Sequence, residues 1–357
     1  MTLVIAEAGV NHNGSEEIAI ALIDAAHKSG ADIVKFQTFK SKNLVTETAE
    51  QADYQITNTK KVESQLSMLS RLELSHEAHQ RLIDHCQKLG IQFLSTAFDS
   101  ESLNFLVNTL QLKTLKIASG EITNAPFLLE HARTGCDLIL STGMSTLADI
   151  ESSLGVIAFG LTATGDSTPS IEAFQAAYAS AEGQEALKTK LKLLHCTTEY
   201  PAPFNEINLK AMDTLASAFC LDVGYSDHSQ GITIPIAATA RGACVIEKHF
   251  TLNKEMPGPD HKASIEPKEL TEMVAAIRTI ELAMGNGIKA PQASELKNIK
   301  IARKSLVTTR AIQKGENFST NNLAVKRPGT GSSPYQYWQR LDTKASRDYA
   351  AGEVIFD

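Results

Sequence analysis

Eight times between residue 2 and about residue 285, a short apolar run gives way to a longer amphipathic segment. The short runs read Leu3 to Ala6, Ile33 to Phe36, Gln92 to Ser95, Thr114 to Ile117, Leu138 to Leu140, Leu191 to Leu194, Asp222 to Gly224 and Cys244 to Lys248. The segments between them include Glu16 to Lys28, His76 to Leu89, Glu101 to Thr109, Ala125 to Arg133 and Pro267 to Met284. Ser75 and Ser100 sit before acidic residues as caps, and Gly30 and Gly90 end helices. Repetition of this kind argues for βα units and a parallel sheet. Eight units in about 280 residues match an α/β fold of the (β/α)8 TIM-barrel type. A doubly wound open sheet shares the rhythm, because strand order is not written in one sequence.

Two stretches interrupt the pattern. Val45 to Leu72 is polar and long enough to be a lid or a substrate-facing excursion. Gly160 to Thr189 reads as an inserted helical arm after the fifth strand, without chemistry of its own. The expected organisation is a barrel over 1–285, a polar linker over 286–304 and a small β-rich domain over 305–357, with short runs at Ser305 to Thr309, Leu323 to Lys326 and Glu353 to Phe356. At about 50 residues that domain has little core, so it is expected to lean on the barrel or on a second subunit.

Composition narrows the function. The 357 residues are 43% hydrophobic and 21% charged, enough for a substantial core. Lys and Arg number 34 against 41 Asp and Glu, a net charge of −7, which removes the electrostatic ground for nucleic-acid binding. A bound anion must therefore be gripped locally. No run of about 18 apolar residues is present, and Met1 to Glu7 lack the basic flank of a secretory signal, so a cytoplasmic enzyme without a membrane partner is expected. The five cysteines (86, 136, 196, 220 and 244) are scattered and read as reduced core thiols.

In a barrel, chemistry sits at the C-terminal ends of the strands. Here every strand ends in polar residues. Lys35 and Lys116, with hydroxyls from Ser119, Ser141, Thr142 and Ser226, make a pocket for phosphate or carboxylate. A Schiff base at Lys116 is the competing chemistry. His228 and His249, at the ends of consecutive strands, could share a divalent ion acting as a Lewis acid. His12 and His195 occupy comparable positions and compete as ligands. Glu121 is the best-placed carboxylate for acid/base work, with Glu7 next. Asp260, in Gly258-Pro259-Asp260-His261, suits substrate hydroxyls.

These residues also carry a family resemblance. The run from Glu7 to Gly14, Lys35-Phe36-Gln37-Thr38, Ser119-Gly120-Glu121, Ser141-Thr142-Gly143-Met144, His195 to Pro201, Ser226-Asp227-His228 and Glu247-Lys248-His249-Phe250 together resemble the bacterial sialic acid synthases. Lys326 to Gly331 resembles the signature of that family's C-terminal antifreeze-like (SAF) domain. The resemblance implies a condensation of phosphoenolpyruvate with N-acetylmannosamine, dependent on Mn2+ or Mg2+ and giving N-acetylneuraminate and phosphate, in a domain-swapped homodimer. It implies that Lys35, Thr96, Lys116, Ser119, Ser141 and Ser226 hold phosphoenolpyruvate, and that His228 and His249 hold the metal. Glu121 matches the carboxylate that handles protons, and Gln37, Tyr200 and Asp260 match sugar contacts. Arg327 of the partner's small domain matches a contact to the N-acetyl end. Two features depart from the pattern: the long arm of residues 160–189, and Thr197-Thr198 in place of an Asn-containing pair. Legionaminic and pseudaminic acid synthases, which take diacetamido-dideoxy hexoses, share most of these motifs. A non-enzymatic carbohydrate-binding protein working through its small domain is the alternative of a different class.

Overall fold

The structure, a computed structural model, describes residues 1–51, 56, 58, 59, 61–164 and 167–356. It divides into two compact units, Met1–Gly285 and Asn286–Asp357. In the first, eight parallel strands follow one another around a closed ring: β1 (Leu3–Gly9), β2 (Ile33–Thr38), β3 (Gln92–Ala97), β4 (Thr114–Ile117), β5 (Asp137–Ser141), β6 (Leu191–Cys196), β7 (Asp222–Asp227) and β8 (Val245–His249). β8 pairs back onto β1, from Val245 opposite Leu3 to His249 opposite Glu7, so the open-sheet alternative is excluded. Most strands run one to three residues past the apolar runs read in the sequence. The added residues are mostly polar, and those of inward parity, such as Glu7, Thr96, Ser141 and His249, line the barrel mouth, where hydropathy falls while the hydrogen-bond ladder continues.

The main helices after the strands are α1 (Glu16–Lys28), α2 (His76–Leu89), α3 (Ser100–Asn104), α4 (Ala125–Arg133), α5 (Leu147–Thr162), α6 (Ala211–Phe219), α7 (Thr233–Ala240) and α8 (Pro267–Met284). α1 shows why such a segment is helical. Ser15 accepts a hydrogen bond from the Ile18 N–H at its start, and Ala19, Leu22, Ile23 and Ala26 form the single buried stripe that a 3.6-residue period allows. α2 stops where Gly90 takes a left-handed φ of 78°. The segment from Glu101 to Thr109 is not one regular helix: α3 passes into a π-turn over Phe105–Thr109.

One glycine is dictated by barrel closure. A Cβ on Gly224, in the middle of β7, would lie 2.5 Å from the Val245 carbonyl oxygen and 2.6 Å from a Leu194 methyl. Gly224→Ala is therefore expected to cost about 3 kcal/mol through overpacking. A thermal melt should show the midpoint lowered by roughly 5–10 °C; an unchanged midpoint would show that the neighbouring strands yield.

The arm after β5 consists of helices Ile171–Ala179 and Ala181–Lys190, packed on α5 with the Phe159 and Phe174 rings 5.3 Å apart. The second unit contains helix Ala293–Ala302, in the stretch expected to be a plain linker, where Gln292 and Glu295 form a reciprocal cap. β9 (Ser305–Thr308) and β10 (Leu323–Lys326) pair antiparallel, and Val354 bridges to Val307. Leu306, Ile312, Phe318, Leu323, Ala345, Tyr349 and Ile355 form a buried cluster there, a fuller core than its length foretold. No helix among the described residues is long and apolar enough to cross a membrane.

Candidate active site

Side chains alternate along a strand, so inward positions recur at every second residue. Ile5, Ile33, Leu94, Ile139, Leu194 and Val245 meet as an apolar plug. Two residues further along the same strands come Glu7, Lys35, Thr96, Ser141, Cys196 and Glu247, and all of them line one cavity of about 230 Å³. Lys116, Ser119, Ser226, Gln37, Tyr200, His228, His249 and Asp260 line it too. The plug closes the bottom, so the cavity opens only toward the C-terminal ends of the strands.

Its floor alternates in charge. Lys35 Nζ lies 2.7 Å from Glu7 Oε2 and 3.6 Å from Glu247 Oε2, while Lys116 Nζ lies 3.7 Å from Glu247 Oε1. Lys35 also donates to Thr96 Oγ1 at 3.2 Å, Lys116 to Ser141 Oγ at 2.7 Å, and Ser226 Oγ to Glu247 Oε1 at 3.0 Å. All four charged side chains are at most 3% exposed. Burial raises both carboxyls, but Glu247 stands between two ammonium groups that outweigh burial and hold it below the usual carboxylate range. Burial wins at Glu7, raising it to about 7 against the pull of Lys35, with Glu247 adding to the rise. Near neutral pH, then, Glu247 is the fixed anion and Glu7 the exchangeable one. Burial also lowers Lys116 below the ordinary lysine value, against the opposing effect of Glu247.

The imidazoles of His228 and His249 adjoin this floor, with His228 Nε2 3.4 Å from Ser226 Oγ. Their ring centroids are 5.4 Å apart, with the Tyr200 ring 4.2 Å from His228 and 5.5 Å from His249. His228 Nδ1 lies 2.6 Å from the Thr197 carbonyl oxygen. A carbonyl can only accept, so Nδ1 carries the proton and Nε2 offers a lone pair. His249 Nδ1 is buried without a hydrogen-bond partner, and Asp260 Oδ2 lies 3.8 Å away. Burial lowers both imidazoles, so they are neutral ligands at neutral pH, and it raises Asp260 to about 6. Two neutral imidazoles, one with an orphaned buried nitrogen, beside a carboxyl that no cation among the described residues balances, fit a divalent ion with open coordination positions. Among the described residues no three His, Cys, Asp or Glu side chains converge on one point.

The remaining wall is apolar. Met68, Leu69 and Leu72, with Val10 and Phe98, line the cavity from the excursion after β2 and from neighbouring loops. Gln51 Nε2 donates to the Met68 sulfur at 3.3 Å, and Asn58 Nδ2 donates to the Pro259 carbonyl at 2.6 Å, tying the excursion to the loop that carries Asp260. Residues 52–55, 57 and 60 of that excursion lie outside the described residues.

The expected residues are thus mostly gathered in one place, with clear exceptions. Glu121 does not line the cavity; its Oε2 accepts from Asn124 Nδ2 at 2.8 Å, because the short 3-10 turn after β4 directs it toward α4. His12 and His195, the competing ligands, are also absent from the lining. The His12 Nδ1 accepts from the Gly14 N–H, and His195 bonds the Ile207 carbonyl. Arg327 belongs to the second unit, where it is exposed and its Nε donates to the Ala302 carbonyl. Glu247 was overlooked as a site residue, although its parity with His249 was a readable signal. No described residue of the arm from 160 to 189 lines the cavity.

Fold and site together define a (β/α)8-barrel protein with a polar, anion-sized cavity at its strand ends. A family model described as the NeuB family matches residues 22–289, and the chain belongs to that family. It is similar to the N,N'-diacetyllegionaminic acid synthase of Campylobacter jejuni, 52% identical over 354 residues that cover 99% of this chain and 98% of the relative. It is also similar to the N,N'-diacetyllegionaminic acid synthase of Legionella pneumophila, 44% identical over 352 residues, covering 99% and 92%. In three dimensions it resembles the N-acetylneuraminic acid (sialic acid) synthetase of Leptospira borgpetersenii in complex with citrate. The TM-score is 0.67 at 32% identity, over 84% of this chain and 90% of the other. The family resemblance carried by the strand-end motifs is borne out.

Proposed function

We propose that this chain condenses phosphoenolpyruvate with a diacetamido-dideoxy hexose, as a synthase of the legionaminic acid type, releasing phosphate. The expectation of N-acetylmannosamine as acceptor gives way, because the full-length similarity to two N,N'-diacetyllegionaminic acid synthases favours a doubly acetylated acceptor. The apolar wall of Met68, Leu69, Leu72 and Phe98 supports this, since an acetamido methyl replaces a hydroxyl that such a wall could not hydrogen-bond.

One observation carries the reaction: two ammonium groups and an imidazole pair line the same closed-bottomed cavity. Lys35 and Lys116 balance the charge of phosphoenolpyruvate, and the hydroxyls of Thr96, Ser119, Ser141 and Ser226 donate to its oxygens. His228 and His249 hold Mn2+ or Mg2+, which when bound supplies a Lewis acid that polarises the acceptor's carbonyl. The enol carbon forms the new carbon–carbon bond with the aldehyde carbon, whose oxygen takes up a proton to become a hydroxyl. Water adds at the former enol C2, and the C2–O bond to phosphate breaks. Glu7, neutral once the phosphoenolpyruvate anion is bound, gives the aldehyde oxygen its proton and regains one from the added water, whose second proton leaves with phosphate; proton handling is the role expected of Glu121 from sequence. Gln37, Tyr200 and Asp260 orient the sugar. The second unit is read as an antifreeze-like domain that, in a domain-swapped homodimer, brings Arg327 of a second copy to an acetamido group.

The test is a sugar panel: the protein, Mn2+, phosphoenolpyruvate and each candidate acceptor, followed by phosphate release and product mass. The diacetamido sugar is expected to give the highest kcat/KM. Preference for N-acetylmannosamine returns the reading to sialic acid, and no release with any sugar removes the synthase assignment. The lowered Lys116 keeps one rival chemistry testable: an imine enzyme is trapped by borohydride and ignores chelators, whereas this reading expects the reverse.

Glu7 makes phosphoenolpyruvate binding depend on pH. Its raised pKa, about 7, means that it is neutral below that pH and an anion above it. An incoming anion favours the neutral form, so binding takes up a proton. KM for phosphoenolpyruvate is expected to climb by up to about tenfold per pH unit above neutrality. Glu7→Gln should flatten that rise; an identical slope in the variant would assign it to another group.

A further inference from the structure

Directly behind the imidazoles lies an ion pair that the proposed chemistry does not use. Asp227 and Lys248, both 0% exposed, are paired at 2.5 Å and stand opposite each other on the last recorded rung of the β7–β8 ladder. The residues that follow them in sequence are His228 and His249. Neither Asp227 nor Lys248 lines the cavity, and strand alternation turns them to the other side of the barrel wall.

The pair is fully connected. Asp227 Oδ1 accepts from the Ser229 N–H at 3.1 Å, from Ser229 Oγ at 2.8 Å and from the Tyr225 hydroxyl at 3.2 Å, leaving Oδ2 for Lys248. Lys248 Nζ donates in addition to the Ser229 carbonyl. The ammonium next to His249 therefore grips the residue before His228 and the residue after it. The Ala202 N–H donates to the His228 carbonyl, and the Thr197 carbonyl fixes the His228 ring. The residues on either side of His228 are thus tied to β8, and His228 itself is tied to the segment after β6.

Stability does not call for this arrangement. Two desolvated charges rarely gain over a well-packed apolar pair of the same volume, so a buried ion pair is weak evidence of a stabilising role. What it supplies is a directional constraint that apolar packing lacks. We propose that the Asp227–Lys248 pair is a positioning device that sets the separation and ring orientation of His228 and His249, and thereby the affinity of the site for a divalent cation. This rests on the reading of the two imidazoles as metal ligands.

The experiment is calorimetric titration of full-length protein with Mn2+ alone, and separately with phosphoenolpyruvate in the presence of chelator. Asp227→Asn combined with Lys248→Met removes both charges while leaving an oxygen for Ser229 and Tyr225. The Kd for Mn2+ is expected to rise about 10–100-fold, the cost typical of losing a partner that orients metal ligands, with phosphoenolpyruvate affinity unchanged. A folded double variant that binds Mn2+ within roughly threefold of wild type overturns the proposal, as does equal weakening of both ligands, which is a general structural effect. If the double variant does not fold, Lys248→Arg is judged by the same criteria, because it keeps the charge but changes the geometry. Wild-type protein that does not bind Mn2+, or binding that survives His228→Ala, overturns the metal reading and this proposal with it.

Discussion

Glu247→Gln is expected to lower kcat/KM for phosphoenolpyruvate by roughly 10²–10³, whereas Glu121→Gln should cost less than roughly tenfold. The difference follows from where the two carboxylates stand. Glu247 lies 3.6 Å from Lys35 and 3.7 Å from Lys116, and it is the anion that offsets the burial of both ammonium groups. Breaking a buried charge pair by neutralising one member costs about 3–5 kcal/mol. Much of that cost falls on Lys116, already lowered by burial, which then gives up its proton more readily and ceases to be a cation for the substrate. Glu121, bonded to Asn124 outside the cavity lining, has no such dependants. Phosphate release from both variants, each checked by thermal melting, decides the matter. The reverse ordering would place proton handling at the turn after β4, as the family resemblance implied.

The different placement of these two carboxylates shows where the sequence was legible and where it was not. Barrel closure could be counted because each βα unit buries one apolar strand and one helical stripe, and four helices, α1, α2, α4 and α8, end where the caps and glycines say. The positions gathered at the mouth followed from the rule that side chains beyond a strand's apolar run stand at its C-terminal end. Direction was harder. Glu121 and Glu247 both sit at strand ends, but one is on a 3-10 turn with no fixed parity and the other is two residues from the plug residue Val245. Alternation identifies the second as inward and is silent about the first. His12 and His195 were equally open as ligands because hydropathy does not tell a ring bonded to nearby backbone from one facing a cavity. The apolar wall was hidden for another reason: Met68 and Leu72 lie in a stretch that is polar on average, and only the folded excursion lays them over the barrel. The lines of reasoning that held were those in which periodicity dictates orientation.

His228→Ala and His249→Ala are each expected to reduce phosphate release by at least roughly 10⁴-fold while the circular dichroism spectrum stays that of the wild type. Neither ring carries the fold. His228 makes one ring-to-backbone bond, to the Thr197 carbonyl, and His249 Nδ1 makes no hydrogen bond at all despite being buried. A buried polar nitrogen left without a partner costs free energy, and in a polar cavity beside a second imidazole a bound cation would offset that cost. Both imidazoles are lowered by burial, and His249 is lowered further by His228 beside it. They remain neutral at neutral pH and take up protons only below the ordinary histidine value of 6.5. Protonation removes the lone pairs, so activity should fall on the acid side at a pH that higher Mn2+ concentration moves lower, since metal and proton compete for the same nitrogens. Chelator should abolish activity reversibly in the wild type. An acid limb indifferent to Mn2+, with full turnover in both alanine variants, would leave Lys116 as the electrophilic centre and require a borohydride-trapped adduct in its place.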